Sequence, residues 1–239
     1  MTRQKRVIGI LGGMGPAATL ALYERILALT PAERDQDHIR VIIDSNPKIP
    51  DRTAAILGGG ESPLPLMIGA ARTLERAGAH FIVIPCNTAH YWLSDLRKSI
   101  SIPVIDMISE TASLIATHRP PLRKIGLLAT AGTLQTGLYQ RALAGKGISV
   151  LVPLSEEETQ IMDAIHLIKA GDHAVKDTVV VVAHHLIDQG AEGIILGCTE
   201  LSLVVEETDL PCPFFDPLSI LARRAVQRAR EKNPQDRDV

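Results

Sequence analysis

Ala77-Gly78-Ala79-His80-Phe81-Ile82-Val83-Ile84-Pro85-Cys86-Asn87-Thr88 has a counterpart further along the chain in Gln189-Gly190-Ala191-Glu192-Gly193-Ile194-Ile195-Leu196-Gly197-Cys198-Thr199-Glu200. Gly78 and Gly190 are 112 positions apart, and so are Cys86 and Cys198. Each stretch runs Gly-Ala, an apolar strand, one Pro or Gly, then Cys followed by residues that hydrogen-bond. A second pair joins Val7–Gly15 to Ile125–Gly132 at an offset of 117. Two copies of one unit, and no more, describe a duplicated α/β fold rather than a solenoid.

Short apolar runs alternate with longer amphipathic ones, the pattern of repeated βα units around a parallel sheet. Strands are predicted near Val7–Leu11, Val41–Asp44, Phe81–Ile84, Val104–Ile105, Ile125–Leu128, Ser149–Val152 and Ile194–Leu196. Helices are predicted near Ala17–Leu29, Leu64–Ala77, Ala89–Ser99, Ile108–Thr117, Leu134–Ala144, Glu156 to just before Gly171, Asp172–Gln189 and Pro217–Lys232. Ser155 with Glu158 reads as a capping box for the helix that begins at Glu156. Gly58–Pro63 reads as a loop or hinge, and Asn233–Val239 as a polar, frayed tail. The expected architecture is therefore two similar, pseudo-symmetric α/β lobes, each a short parallel sheet flanked by helices, with the active site in the cleft between them. Residues 1–104 plus 216–239 form the first lobe and 105–215 the second.

The 239 residues suffice for a full core. A hydrophobic fraction of 46%, a charged fraction of 22% and a net charge of −2 describe an ordinary globule. That charge offers no field for nucleic acid or anionic membranes. No apolar run approaches the ~20 residues of a membrane span. The basic start Arg3-Gln4-Lys5-Arg6 before Val7–Leu11 imitates a secretion signal, but Gly12, Gly13, Gly15 and Pro16 interrupt it and its pattern recurs at Ile125. Three cysteines without C-x-x-C spacing argue for reduced thiols and a cytoplasmic setting.

An isolated Cys is more often a small buried hydrophobe than a catalyst. The repeat reverses those odds, because packing does not require sulfur at the same place in both halves. Cys212, in Pro211-Cys212-Pro213, has no such counterpart and reads as structural. Each repeated cysteine is expected just past a strand, at a helix N-terminus whose N–H groups and dipole would stabilise a thiolate. Asn87, Thr88 and Thr199 supply cap-type side chains there. Two thiols facing one carbon can invert it: one takes the proton and the other delivers one, and the roles swap for the other enantiomer. Hydroxyls at Thr130 and Thr133, after the strand of the second copy, would support the substrate carboxylate.

Gly12-Gly13-Met14-Gly15-Pro16, Pro50-Asp51-Arg52-Thr53, Pro85-Cys86-Asn87-Thr88-Ala89-His90 and Gly197-Cys198-Thr199-Glu200 together resemble the aspartate racemase family, within the cofactor-independent aspartate/glutamate racemases. The resemblance covers essentially the whole chain. It implies two similar domains, a site between them, usually a homodimer, no cofactor, and a small acidic amino acid as substrate. The family's catalytic cysteines fall on Cys86 and Cys198, and its substrate contacts on Met14, Arg52, Asn87, Thr88 and Lys169. Arg52 and Lys169 would hold the distal carboxylate, and Asn87 and Thr88 the α-carboxylate. Thr199 and Glu200 complete the candidate set. Glutamate racemases generally place His where this chain has Glu200, which favours aspartate. One methylene, however, typically changes discrimination by only ~1–3 kcal/mol, so glutamate or a wider acidic range stays open.

Plainer readings exist for each contact. Arg52 reads equally as a solvated loop charge, Lys169 as a complement to a helix C-terminus, Asn87 and Thr88 as caps, and Met14 as packing. Gly13-Met14-Gly15-Pro16-Ala17-Ala18 also fits G-x-G-x-x-A, with Asp44 where a ribose-binding acid would stand, although Pro16 removes a donor from that loop. A two-lobed amino-acid-binding module is the non-enzyme alternative. His90, one turn beyond Cys86, and His184 and His185 carry little weight.

Overall fold

The computed structural model describes residues 6–231. The expectations at Arg3–Lys5, Lys232 and Asn233–Val239 lie outside that range. The first half contains β1 (Ile8–Gly12), α1 (Pro16–Leu29), β2 (Val41–Ser45), α2 (Arg52–Ile56), α3 (Leu64–Arg76), β3 (Phe81–Val83), α4 (Leu93–Lys98) and α5 (Met107–Ala116). The second contains β4 (Lys124–Leu128), α6 (Ala131–Thr136), α7 (Leu138–Ala144), β5 (Ser149–Leu151), α8 (Ser155–Lys169), α9 (Lys176–Asp188), β6 (Ile194–Leu196), β7 (Phe214–Phe215) and α10 (Pro217–Arg230).

Both sheets are parallel, in the orders β2-β1-β3 and β5-β4-β6-β7. The first gains a single bridge, Ile82 with Val104, where the second has β7. The two halves are thus the α/β repeat that the sequence predicts. Strands β1, β3 and β6 are buried along their length, as parallel strands covered on both faces must be. Helix α10 returns to the first sheet, where Leu218, Leu221, Ala222 and Ala225 pack with Ile8, Ile10, Leu22 and Ile26. Helix α5 turns Ile108, Ala112 and Ile115 onto the second core, against Ile125, Leu127 and Tyr139. Each crossing helix is capped alike: Asp106 accepts from the backbone of Ile108 and Ser109, and Asp216 from that of Leu218 and Ser219.

Several boundaries differ from the sequence reading, each for a local reason. Gly137, in the left-handed region at φ 60°, splits the expected 134–144 helix into α6 and α7. Ser155 is already helical and Leu154 stands at the cap, with Glu157 rather than Glu158 accepting the Leu154 N–H at 2.9 Å. Three consecutive glutamates satisfy the capping pattern in more than one register. The Asp172 side chain accepts from Ala174 N at 2.9 Å, a turn that delays α9 to Lys176. The expected Ala89–Ser99 helix is a 3-10 segment, Thr88–Trp92, followed by α4. Helix α2 and strand β7 were too short to carry a period.

Gly13 explains the glycine loop after β1. Its φ of +88° places a hypothetical Cβ 2.3 Å from the Asn46 backbone, so no side chain fits. Its N–H is spent inside the fold, donating to Thr19 Oγ1 at 2.9 Å. A loop built to bring β1, β2 and α1 together explains those glycines without a dinucleotide phosphate.

Candidate active site

The ends of β1, β3, β4 and β6 converge, and one small cavity there is lined by Met14, Asp51, Arg52, Thr53, Cys86, Asn87, Thr88, Thr130, Lys169, Cys198, Thr199 and Glu200. Residues from both repeats therefore share it, including both repeated cysteines. Its volume is only about 10 Å³, room for one water, so an amino acid needs the cleft to widen. A larger vestibule of about 320 Å³ shares Asp51, Arg52, Lys169 and Glu200 with it. Pro16, Ala17, Pro47 and Ile49 form the vestibule's apolar wall. Cys212 lies elsewhere, half-buried against the core of the second repeat.

The lobes are joined at this floor by polar contacts. Thr88 Oγ1 lies 3.0 Å from Thr130 Oγ1 and 2.8 Å from Thr133 Oγ1, and Thr130 donates to Thr133 at 3.1 Å. Thr199 donates across the gap to the Pro85 carbonyl at 3.2 Å. Gly132 permits this approach: a Cβ there would stand 2.9 Å from Thr53 Cα. Of the two expected hydroxyls, Thr130 lines the cavity, whereas Thr133 sits behind it and bonds to the other two.

The cap-type roles expected of Asn87, Thr88 and Thr199 do not appear. Asn87 caps by position only, and its Oδ1 accepts from the Tyr139 hydroxyl at 2.6 Å. Burial pushes the Tyr139 phenol above its usual range, so it stays a donor and fixes the amide's orientation. That leaves the buried Asn87 Nδ2 without a partner beside the cavity. Nothing in the sequence singles out Tyr139.

Arg52 is not a solvated loop charge: it is 8% exposed, and Asp51 caps its helix by accepting from Ala54 N at 2.7 Å. Its Nη1 donates to the carbonyls of Ile49 and Pro50, and Nη2 reaches the Met14 carbonyl at 3.4 Å. The buried Nε has no partner and remains free to donate. Lys169, the last residue of α8, is exposed as a side chain but faces the cavity. Burial of its ammonium lowers its pKa, but Glu200 and then Cys198 and Cys86 outweigh that and hold it above the usual lysine range.

Both thiols are buried, and neither is followed directly by the α-helix N-terminus that the sequence predicts. Cys86 is 6% and Cys198 4% exposed. The segment after each is a short 3-10 turn, Thr88–Trp92 or Leu201–Leu203, which contributes little dipole. Burial, then the Glu200 carboxylate, pushes the Cys198 thiol well above its ordinary value, with Lys169 opposing. Cys198 Sγ donates to Glu200 Oε2 at 3.1 Å. Glu200 is 3% exposed and its Oε1 has no partner. That oxygen lies on the Gly15 side, 2.9 Å from where a Cβ would stand. His184 and His185 lie on α9, and His185 pairs with Glu157 at 2.6 Å. Among the described residues, no group of three or more His, Cys, Asp or Glu gathers as a metal would require, and no helix is long and apolar enough to cross a membrane.

The family described as Asp/Glu/hydantoin racemase matches residues 11–225. Over 225 residues the chain is 30% identical to the broad specificity amino-acid racemase RacX of Bacillus subtilis, covering 92% of this chain and 96% of that protein. A Picrophilus torridus aspartate racemase superposes with a TM-score of 0.84 at 29% identity, over 97% of both chains. An aspartate racemase homologue from Pyrococcus horikoshii gives a TM-score of 0.76 at 29% identity, over 95% of this chain and all of that one. With the family matched across both repeats and both cysteines at one cavity, the chain belongs to the Asp/Glu/hydantoin racemases and is an isomerase of the racemase type.

Proposed function

We propose that the protein interconverts L- and D-aspartate without a cofactor, using Cys86 and Cys198 as the two acid/base groups. The observation that carries this reading is the shared cavity: thiols from the two repeats border the same small space, next to the cations Arg52 and Lys169. A thiolate on one side takes the α-proton, and the electron pair passes to the α-carboxylate. The thiol on the other side then returns a proton to the opposite face. Asn87 Nδ2 and the hydroxyls of Thr88 and Thr130 support the α-carboxylate, where charge develops in a dry site. Arg52 Nε and the Lys169 ammonium take the distal carboxylate. Glu200 Oε1 is the acceptor available to the α-ammonium, and Met14 and Thr199 shape the walls.

The same reading assigns residues 1–104 plus 216–239 to one lobe and 105–215 to the other, and includes a cytoplasmic homodimer. The lobe division is supported by the return of α10 to the first core, and the homodimer by the family resemblance.

Wider side-chain tolerance is the second reading. The vestibule favours it, because it opens beyond Arg52, Lys169 and Glu200 and offers room to a chain longer than that of aspartate. The name of the Bacillus subtilis relative points the same way. One experiment separates the two: purified protein with L-aspartate, L-glutamate or L-alanine, under reducing conditions without pyridoxal phosphate, followed by optical rotation. Loss of rotation with aspartate ahead of the others supports the proposal. Equal rates favour the wider reading, and no change with any of them refutes both. Arg52→Ala should raise KM for aspartate more than for alanine.

A further inference from the structure

His90 lies behind the cavity rather than in it, and the proton transfers proposed above do not use it. The side chain is 4% exposed. Its Nδ1 stands 2.8 Å from the Cys86 carbonyl oxygen, and its Nε2 accepts from the backbone N–H of Met107 at 3.1 Å. A backbone N–H can only donate, so Nε2 carries no proton. The neutral ring then has its proton on Nδ1, directed at the Cys86 carbonyl. One tautomer satisfies both contacts, whereas an imidazolium must forfeit the Met107 bond. The ring is thus a strut between the Cys86 turn and the first residue of α5, the helix that crosses to the second core.

At the matching position of the other half, 112 residues on, stands Ser202. Its hydroxyl donates to Asp216 Oδ1 at 2.6 Å, and Asp216 caps α10, the other crossing helix. Arg25 completes the tie, reaching Asp216 Oδ2 at 2.6 Å and the Ser202 carbonyl at 3.1 Å. Both halves therefore fasten the cysteine turn to the start of a crossing helix. The first does so through an imidazole, the second through a hydroxyl and a half-buried ion pair.

We propose that His90 is a positioning residue for Cys86: its neutral, Nδ1-protonated ring holds that turn against α5, and protonating the ring releases the Cys86 side while the Cys198 side stays fastened. This rests on the reading of Cys86 as one of the two acid/base groups. A groove lined by Tyr91, Arg97, Lys98 and Asp106 reaches the ring from outside and gives protons a route. Burial is the largest influence and lowers the pKa of His90; Asp106 and the Cys86 and Ile105 backbone oppose it, and Arg97 adds to it. The net shift is downward from 6.5. The stability contributed by the neutral ring is therefore complete above pH 6.5 and is lost as pH falls through the lower folded value.

The test uses the full chain with His90→Gln and His90→Leu. A glutamine amide offers one donor and one acceptor and does not titrate, whereas leucine offers neither. His90→Leu should lower kcat about tenfold or more with KM nearly unchanged, because reacting groups slightly out of place cost rate rather than affinity. His90→Gln should recover most of that loss and flatten the fall in activity on the acid side. Iodoacetamide labelling, read by mass for each cysteine, should change severalfold at Cys86 in His90→Leu and stay within about twofold at Cys198. Unchanged kcat in His90→Leu, equal changes at both cysteines, or an acid limb in His90→Gln identical to wild type would each overturn the proposal. If His90→Leu does not fold, the pH profile of His90→Gln still decides. A labelling change confined to Cys86 in His90→Leu, with a wild-type protein that racemises nothing, would keep the strut and refute the racemase reading.

Discussion

Cys86-Asn87-Thr88 and Cys198-Thr199-Glu200 occupy matching turns after β3 and β6, yet their surroundings differ in kind. Around Cys86 the third residue is a threonine, tied into a hydroxyl triangle with Thr130 and Thr133. Around Cys198 it is a buried carboxylate that accepts a hydrogen bond from the thiol. A racemase must treat two mirror-image substrates through one site, but it has no need of two identical thiols. Burial and Glu200 hold the Cys198 thiol protonated, and under the proposed mechanism Glu200 would be the adjacent acceptor when Cys198 serves as the base. Duplication supplied the symmetry of the fold, and single residues beside each sulfur removed the symmetry of the chemistry.

The most severe way to break the comparison is to remove either sulfur. Cys86→Ala and Cys198→Ala should each cost roughly 10²–10⁴-fold in racemisation, the usual range for a positioned acid or base. Substantial turnover by either variant would contradict the assigned roles. Cys212→Ala, by contrast, should leave the rate nearly intact.

Glu200→Gln sharpens the asymmetry itself. Removing the carboxylate takes away an influence that raises the Cys198 pKa, so thiolate absorbance should appear at lower pH in the variant than in wild type. Racemisation should fall about tenfold or more, because the neighbouring proton acceptor is lost. Burial of Cys198, with the same carboxylate adding to it, gives stability a pH dependence. The folded-state pKa of Cys198 is raised, so its contribution is whole below the ordinary thiol value of 9.0 and declines as pH rises above it. Glu200→Gln should weaken that alkaline decline in thermal unfolding scans. Coincident titration and unfolding curves for the two proteins would show that Glu200 does not govern this thiol.

Tyr139→Phe is the smallest change. It leaves Asn87 Oδ1 without its donor, at a cost of about 1–3 kcal/mol, and frees the amide to turn. KM should rise severalfold with kcat less affected. An unchanged KM would mean that the amide's orientation does not matter to binding.

Much of this was legible in the sequence, because the repeat is written in residue types. The paired Gly-Ala-strand-Cys stretches located both sheets and both sulfurs, and the expected strands fall within a residue of their ends except Val104–Ile105, where only a single bridge at Val104 forms. The crossing helices carry a further signal. Pro103-Val104-Ile105-Asp106-Met107-Ile108-Ser109 and Pro213-Phe214-Phe215-Asp216-Pro217-Leu218-Ser219 share Pro-x-x-Asp-x-x-Ser, and the two-residue strand β7 lies inside the second copy. What the sequence hid were consequences of burial. The sequence pattern puts each thiol at the N-terminus of a helix that would stabilise a thiolate. Instead they lie behind closed walls, and the state of Cys198 is set by desolvation and one carboxylate. His90 was set aside because a lone histidine has many uses; its two backbone contacts, one of them seventeen residues away, exist only once α5 is in place. Tyr139 reached the site from α7 and no local pattern announced it.

The most direct measurement is the isotope content of both enantiomers in the first turnovers of L-aspartate in deuterium oxide. If each sulfur serves one face, newly formed D-aspartate carries deuterium at Cα while the remaining L-aspartate keeps its protium. D-aspartate that emerges with the original proton would mean that a single group works both faces, and the paired-thiol account would fall.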